Sequence, residues 1–104
     1  MRILFLSELY PPHGGGAQIA LERLAKGLTK KGISVHIITN KFNNEKEKEY
    51  KDGIYIHRKN IIPEKSKLMY IINYYTYINK YAFHIISNLV DDILSIDPDI
   101  IHIA

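Results

Sequence analysis

Three short apolar runs set the limits on what this chain can fold into. Arg2 to Ser7 (RILFLS) and Ile33 to Thr39 (ISVHIIT) are almost unbroken, and Asp99 to Ala104 (DIIHIA) repeats the pattern. A strand with one wet face alternates apolar and polar residues, whereas a strand covered on both faces does not need to. The three runs therefore read as strands buried on both sides, the mark of a parallel sheet. Gly53 to Arg58 (GIYIHR) alternates and reads as a more exposed strand, third in chain order.

The connections carry a different period. Ala17, Ala20, Leu21, Leu24 and Leu28 recur at helical spacing between Ala17 and Lys31, with Glu22, Arg23 and Lys26 on other faces and Gly32 as the stop. From Leu68 to Ile96 the apolar positions again follow a period of about 3.6 residues, describing one long helix or two in tandem that Pro98 ends. The stretch from Asn40 to Asp52 (NKFNNEKEKEYKD) mixes lysine and glutamate and reads as a solvated connector. Strand, helix, strand, short strand, long helix, strand predicts a Rossmann-like, doubly wound α/β sheet with spatial order 3-2-1-4 and right-handed crossovers. Ligands of such sheets sit beyond the carboxyl ends of the strands, here between the first and the fourth.

Composition narrows the function. The 104 residues make one domain, and 46% hydrophobic with 24% charged residues suits a globular protein. The net charge of +3 comes from 14 basic and 11 acidic residues mixed along the chain, which argues against a dedicated nucleic-acid binder. With no cysteine there is neither a disulfide framework nor a thiolate metal site, in keeping with a cytoplasmic location. The run Ile3 to Leu6 is far too short for a secretory signal, and nothing approaches the roughly 18 apolar residues of a membrane span. Any membrane contact is expected to be peripheral.

Chemistry concentrates in Ser7 to Gln18 (SELYPPHGGGAQ), where two prolines and three glycines lead straight into a helix N-terminus. Glycines allow close backbone approach, and the amides of a first helical turn offer partial positive charge to an anion. A phosphate-binding loop fits; a tight corner alone would use the same glycines. Two phosphate motifs are excluded. A dinucleotide fingerprint starting at Gly14 would need a small residue at Ile19 and an acid after the second strand, and no Gly-Lys-Ser/Thr follows the loop.

At this point the sequence resembles the N-terminal domain of GT-B type glycosyltransferases, in the large retaining group called glycosyltransferase family four. The resemblance rests on Tyr10, Pro11, Pro12, then Gly15, Gly16, Ala17, Gln18, then Leu24, Ala25, Leu28, Gly32, Val35 and Thr39. It continues through Asp52 and Gly53 to Pro98, Asp99, Ile100, Ile101 and His102, so it spans the chain. Gln18 replaces the usual acid, and Ala104 stands where many members carry a second histidine.

The resemblance implies a partial N-terminal, acceptor-side domain over residues 1–104, working with a C-terminal domain that holds most of the donor nucleotide. Gly15 and Gly16, with Gly14 shaping the loop, would approach the diphosphate of a nucleotide-sugar donor. His102 would lie near a sugar or lipid-linked acceptor. His13 borders the loop and reads either as a solvent-facing loop histidine or as a contact to an acceptor hydroxyl or phosphate. The nucleotide sugar is a substrate, so no cofactor is implied, and the catalytic residues stay unassigned. None of the five histidines has metal-ligand spacing, and no metal site is expected. Asp97-Pro98-Asp99 reads as a helix-to-strand junction rather than a metal–nucleotide motif. Tyr70, Tyr74, Tyr77 and Tyr81 form a stripe at helical spacing that reads as a rim on the core or as a contact surface. The 104 residues alone are expected to be inactive and, with Ile100, Ile101 and Ile103 on an uncovered edge, to self-associate. A competing reading is a free-standing flavodoxin-like module that uses the glycine loop for a phosphate.

Overall fold

The computed structural model describes residues 1–42, 44–59 and 89–103. Five strands and two helices lie in those residues: β1 (Arg2–Leu6), α1 (Gly16–Lys30), β2 (Ser34–Asn40), β3 (Lys48–Lys51), β4 (Ile54–Lys59), α2 (Val90–Ile96) and β5 (Ile100–Ile103). They build one sheet in the order β3-β4-β2-β1-β5. The β4-β2-β1-β5 part is parallel, with Leu4 opposite both His36 and Ile101 and Ile37 opposite Ile56. This is the expected 3-2-1-4 order of a Rossmann-like sheet.

One correction falls at the sheet edge. The stretch from Asn40 to Asp52, expected as a solvated connector, contains β3, which pairs antiparallel with β4. Asp52 and Gly53 both have positive φ, 55° and 82°, which is the two-residue hairpin turn that aspartate-glycine pairs favour. Charge hid the strand: Lys48, Glu49 and Lys51 are surface residues of an edge, where charge also discourages unwanted pairing.

The core lies between the sheet and α1. Phe5, Val35, Ile37, Ile54 and Ile56 project from one face onto Leu21 and Ala25, with Tyr10 closing the carboxyl end. The helix buries a narrower stripe than its sequence period suggests. Ala17 and Ala20 are exposed and Leu24 is 52% exposed, because α1 rests on β2 and β4 through Leu21, Ala25 and Leu28. A Schellman closure ends it: Ile33 N–H donates to Leu28 C=O at 3.2 Å, Gly32 N–H donates to Thr29 C=O at 3.0 Å, and Gly32 sits at φ 82°.

The other described helix ends where Pro98 demands. Asp97 caps α2 in the left-handed region rather than in the extended region usual before proline. Arg2 Nη1 donates to the carbonyls of Ile96 and Asp97 at 2.6 and 3.3 Å. Arg2 N–H donates to Asp99 Oδ2, and Asp99 N–H donates back to Arg2 C=O, both at 2.8 Å. The acid-proline-acid sequence thus serves as a clamp at the amino end of β1. β5, whose apolar run reads as an interior strand, lies at the sheet edge as expected for these 104 residues, with Ile100, Ile101 and Ile103 exposed at 46%, 47% and 70%. The part of the expected long helix before Leu89, with His84 and the tyrosine stripe, lies outside the described residues. No described helix is long and apolar enough to cross a membrane.

Candidate functional site

Beyond Leu6 the chain crosses the carboxyl ends of β1 and β2. Ser7 N–H extends the ladder to Ile38 C=O at 3.1 Å, and the Ser7 hydroxyl donates to Leu9 C=O at 2.6 Å. Tyr10 then drops into the core, 4% exposed among Phe5, Ile54 and Ile56. Burial, followed by repulsion from the Glu22 and Asp52 carboxylates, pushes its hydroxyl up to about 12. His13 N–H donates to Tyr10 C=O at 2.9 Å, closing a turn across a cis Pro11–Pro12 bond. An apolar anchor and two turns therefore hold the loop over the sheet.

The three glycines have different situations. Gly14 has φ 88°, a conformation that favours glycine, and a Cβ there would also displace the Gln18 side chain that bonds Gly15. Gly15 caps α1, and its N–H donates to Gln18 Oε1 at 2.8 Å, half of a capping box. A Cβ added to Gly15 or Gly16 would meet nothing within 4 Å. Packing within the described residues gives no reason for small residues at these two positions. The first helical rung runs from Ile19 N–H to Gly15 C=O at 3.2 Å, so the amides of Gly16, Ala17 and Gln18 precede the ladder. They carry the partial positive charge of the helix N-terminus.

The two histidines expected near an acceptor lie apart in the packing. His13 stacks on Phe42, with ring centroids 4.3 Å apart, and its Nε2 lies 3.2 Å from Glu45 Oε2 without hydrogen-bond alignment. His102 meets Phe5 edge-on at 5.5 Å, on the face of β5 that looks toward α1. His13 lies in the glycine loop against Phe42 and Glu45, and His102 on the edge strand β5 against Phe5.

Arg58 is the residue that sequence reasoning missed. It is 8% exposed at the carboxyl end of β4. Its Nη2 donates to Glu49 Oε1 and its Nη1 to Lys46 C=O, each at 3.2 Å, and its Nε lies 3.7 Å from Glu45 Oε2. Glu45 in turn faces His13, so one buried guanidinium ties the segment before β3 to the glycine loop. The available signal was parity: in GIYIHR, Arg58 shares a face with Ile54 and Ile56. Thr39 Oγ1, on that same face, is enclosed with no hydrogen-bond partner among the described residues.

On the opposite face, His36 Nδ1 and His57 Nε2 are 3.1 Å apart, and His36 stacks on Tyr55 at 4.6 Å. Burial pushes His36 down to about 4, with His57 and Arg2 adding to the effect. Burial also lowers His57, with Lys48 and Lys59 reinforcing it and Asp92 opposing. Two neutral rings sharing one hydrogen bond are a packing arrangement. Among the described residues no group of three acidic, histidine or cysteine side chains is placed to hold a metal ion.

Comparison with known proteins places this geometry. The family model described as Glycosyltransferase Family 4 matches residues 14–104, a span that starts at the first glycine of the loop. A relative described as an uncharacterized 42.6 kDa protein in the cps region of Klebsiella pneumoniae is 30% identical, over 98% of this chain and 29% of its own length. Among solved structures, the sucrose-phosphate synthase of Thermosynechococcus elongatus shares the fold with a TM-score of 0.51 and 22% identity, over 78% of this chain and 25% of that one. The chain therefore spans less than a third of the length of these relatives. Its sheet is the Rossmann-like half of a GT-B fold, and the chain belongs to Glycosyltransferase Family 4.

Proposed function

We propose that this chain forms the acceptor-side wall of a glycosyltransferase that moves a sugar from a nucleotide-sugar donor to a sugar or lipid-linked acceptor, with retention at the anomeric carbon. The observation that carries this reading is the open space before Gly15 and Gly16 at the N-terminus of α1, inside the span that matches the family. A donor diphosphate can approach the first-turn amides there, and a side chain at either position would stand in its way. As the glycosyl bond breaks, negative charge grows on the departing diphosphate. Amide dipoles fixed in advance stabilise that charge more than they stabilise the intact donor.

His13, within the loop, and His102, on β5, are the groups assigned to an acceptor hydroxyl. The donor's nucleoside is assigned to a partner domain of the longer protein, and residues 1–104 alone are expected to turn nothing over. The experiment is to incubate the longer protein that carries this chain with a panel of nucleotide sugars and measure release of nucleoside diphosphate. The reading expects release from at least one donor; none across the panel would contradict it.

A further inference from the structure

Glu45 is held more firmly than a residue in a surface connection needs to be. It lies between β2 and β3, and its side chain is only 21% exposed. Oε1 accepts from the Phe42 N–H at 2.9 Å, while the Glu45 N–H donates back to the Phe42 carbonyl at 3.1 Å. Oε2 faces two other groups, His13 Nε2 at 3.2 Å and Arg58 Nε at 3.7 Å. One carboxylate oxygen therefore closes a turn, and the other reaches the loop that leads to the glycines.

The two nitrogens of the His13 ring differ in the same way. The ring packs on Phe42, which limits how it can turn. Nε2 is enclosed and lacks an aligned hydrogen bond, although Glu45 Oε2 is within reach. Nδ1 is neither enclosed nor bonded among the described residues, on a side chain 33% exposed.

An enclosed ring nitrogen beside a carboxylate oxygen has one favourable state. A lone pair on Nε2 would face the lone pairs of Oε2, whereas a proton there needs only a small rotation of the ring to form a charge-assisted hydrogen bond. A neutral imidazole carries one ring proton, so placing it on Nε2 leaves Nδ1 as an acceptor. The open side of His13 can then accept from a hydroxyl and has no proton to give to a phosphate.

We propose that Glu45 is a positioning residue that fixes His13 with its proton on Nε2, so that Nδ1, directly before the three glycines, is presented as a hydrogen-bond acceptor to an acceptor hydroxyl. This rests on the glycosyltransferase reading and deepens it: of the hydroxyl and the phosphate that a histidine in this loop could meet, Glu45 selects the hydroxyl. Arg58 supports the arrangement by keeping a cation beside Oε2 while its other nitrogens hold Glu49 and the Lys46 carbonyl.

The test uses the longer protein that carries this chain, labelled with nitrogen-15 in its histidine rings, with the His13 signals identified by their loss in His13→Phe. Near pH 8 the wild type should carry its His13 proton on Nε2 alone, protected from exchange with water by enclosure. In Glu45→Gln the Phe42 N–H keeps the amide oxygen at the Oε1 position, so the NH2 group faces Nε2 and the ring proton should move to Nδ1. Nucleoside diphosphate release from a donor that the protein turns over, with water in the acceptor's place, should show kcat lowered about three- to tenfold in Glu45→Gln, the worth of one hydrogen bond. His13→Phe should lose as much, the double variant no more, and the donor KM should stay unchanged in all three. The proposal is overturned if the wild-type proton sits on Nδ1, if it stays on Nε2 in Glu45→Gln, or if the two losses in kcat are absent or add. Should Glu45→Gln not fold, the wild-type proton position and the kcat of His13→Phe decide. If no donor is turned over, the catalytic reading fails while the ring proton still tests Glu45, so the two can fail separately.

Discussion

Arg58 Nη2 lies 3.2 Å from Glu49 Oε1 on a side chain that is almost wholly buried, which fastens the edge strand β3 to the carboxyl end of β4. The same guanidinium reaches the Lys46 carbonyl and approaches Glu45. Removing it leaves two carboxylates and a carbonyl without their cation. Arg58→Met is expected to destabilise the protein by about 2–4 kcal/mol, whereas Glu49→Gln, which keeps an acceptor oxygen, should cost less than about 1.5 kcal/mol. Urea unfolding of the two variants checks the order, and equal losses would show that the guanidinium does not hold the hairpin.

Two glycines of α1 are expected to respond in opposite directions. Gly27 is inside the helix and a Cβ there meets nothing within 4 Å, so Gly27→Ala should stabilise by about 0.5–1 kcal/mol. Gly32, at φ 82° in the Schellman closure, should lose about 1 kcal/mol as Gly32→Ala. Thermal melts of the pair decide the matter, and a shift of the same sign in both would contradict this description of the helix end.

The histidine pair gives a pH dependence of defined sign. His36 is held at about 4 against an ordinary value of 6.5, and burial is the main cause. Its folded value is lowered, so the unfolded chain takes up the proton first as pH falls. The neutral pair therefore contributes stability in full above about 6.5 and loses it progressively down to about 4. His57, lowered for the same main reason, adds to the loss. Melting temperatures between pH 7.5 and 4 should fall more steeply in the wild type than in His36→Gln. Parallel profiles would place the acid sensitivity elsewhere.

The clamp at the amino end of β1 predicts a local effect. Asp99 accepts from Arg2 N–H at an exposed position, so Asp99→Ala should cost no more than about 1 kcal/mol globally. Hydrogen exchange should nevertheless speed up at the Arg2 amide while the Ile37 amide in β2 keeps its protection. Unchanged exchange at Arg2 would count against the clamp.

Much of this architecture was legible in the residues. The runs through Leu4, Ile37 and Ile101 have the unbroken apolar character of parallel strands, and the sheet order followed from their spacing. β3 was not legible, because a four-residue edge strand of Lys-Glu-Tyr-Lys carries charge where periodicity looks for apolar side chains. The Asp52–Gly53 pair was the one local sign of a hairpin. The buried stripe of α1 was misplaced by one flank, since alanine at positions 17 and 20 fits an exposed helical face as well as a buried one. At the site, the glycine loop was visible as composition, but the separate situations of Gly14 and Gly16 needed coordinates. So did the link from Arg58 through Glu45 to His13, which joins residues far apart in sequence.

The most direct test of the central claim is Gly16→Val in the longer protein that carries this chain. A Cβ at Gly16 meets nothing within 4 Å, so the variant should fold and melt close to the wild type. If a donor diphosphate approaches this backbone, kcat/KM for glycosyl transfer should fall by about a hundredfold, the loss typical of a disturbed anion-stabilising site. An unchanged melt with unchanged kcat/KM would contradict the account.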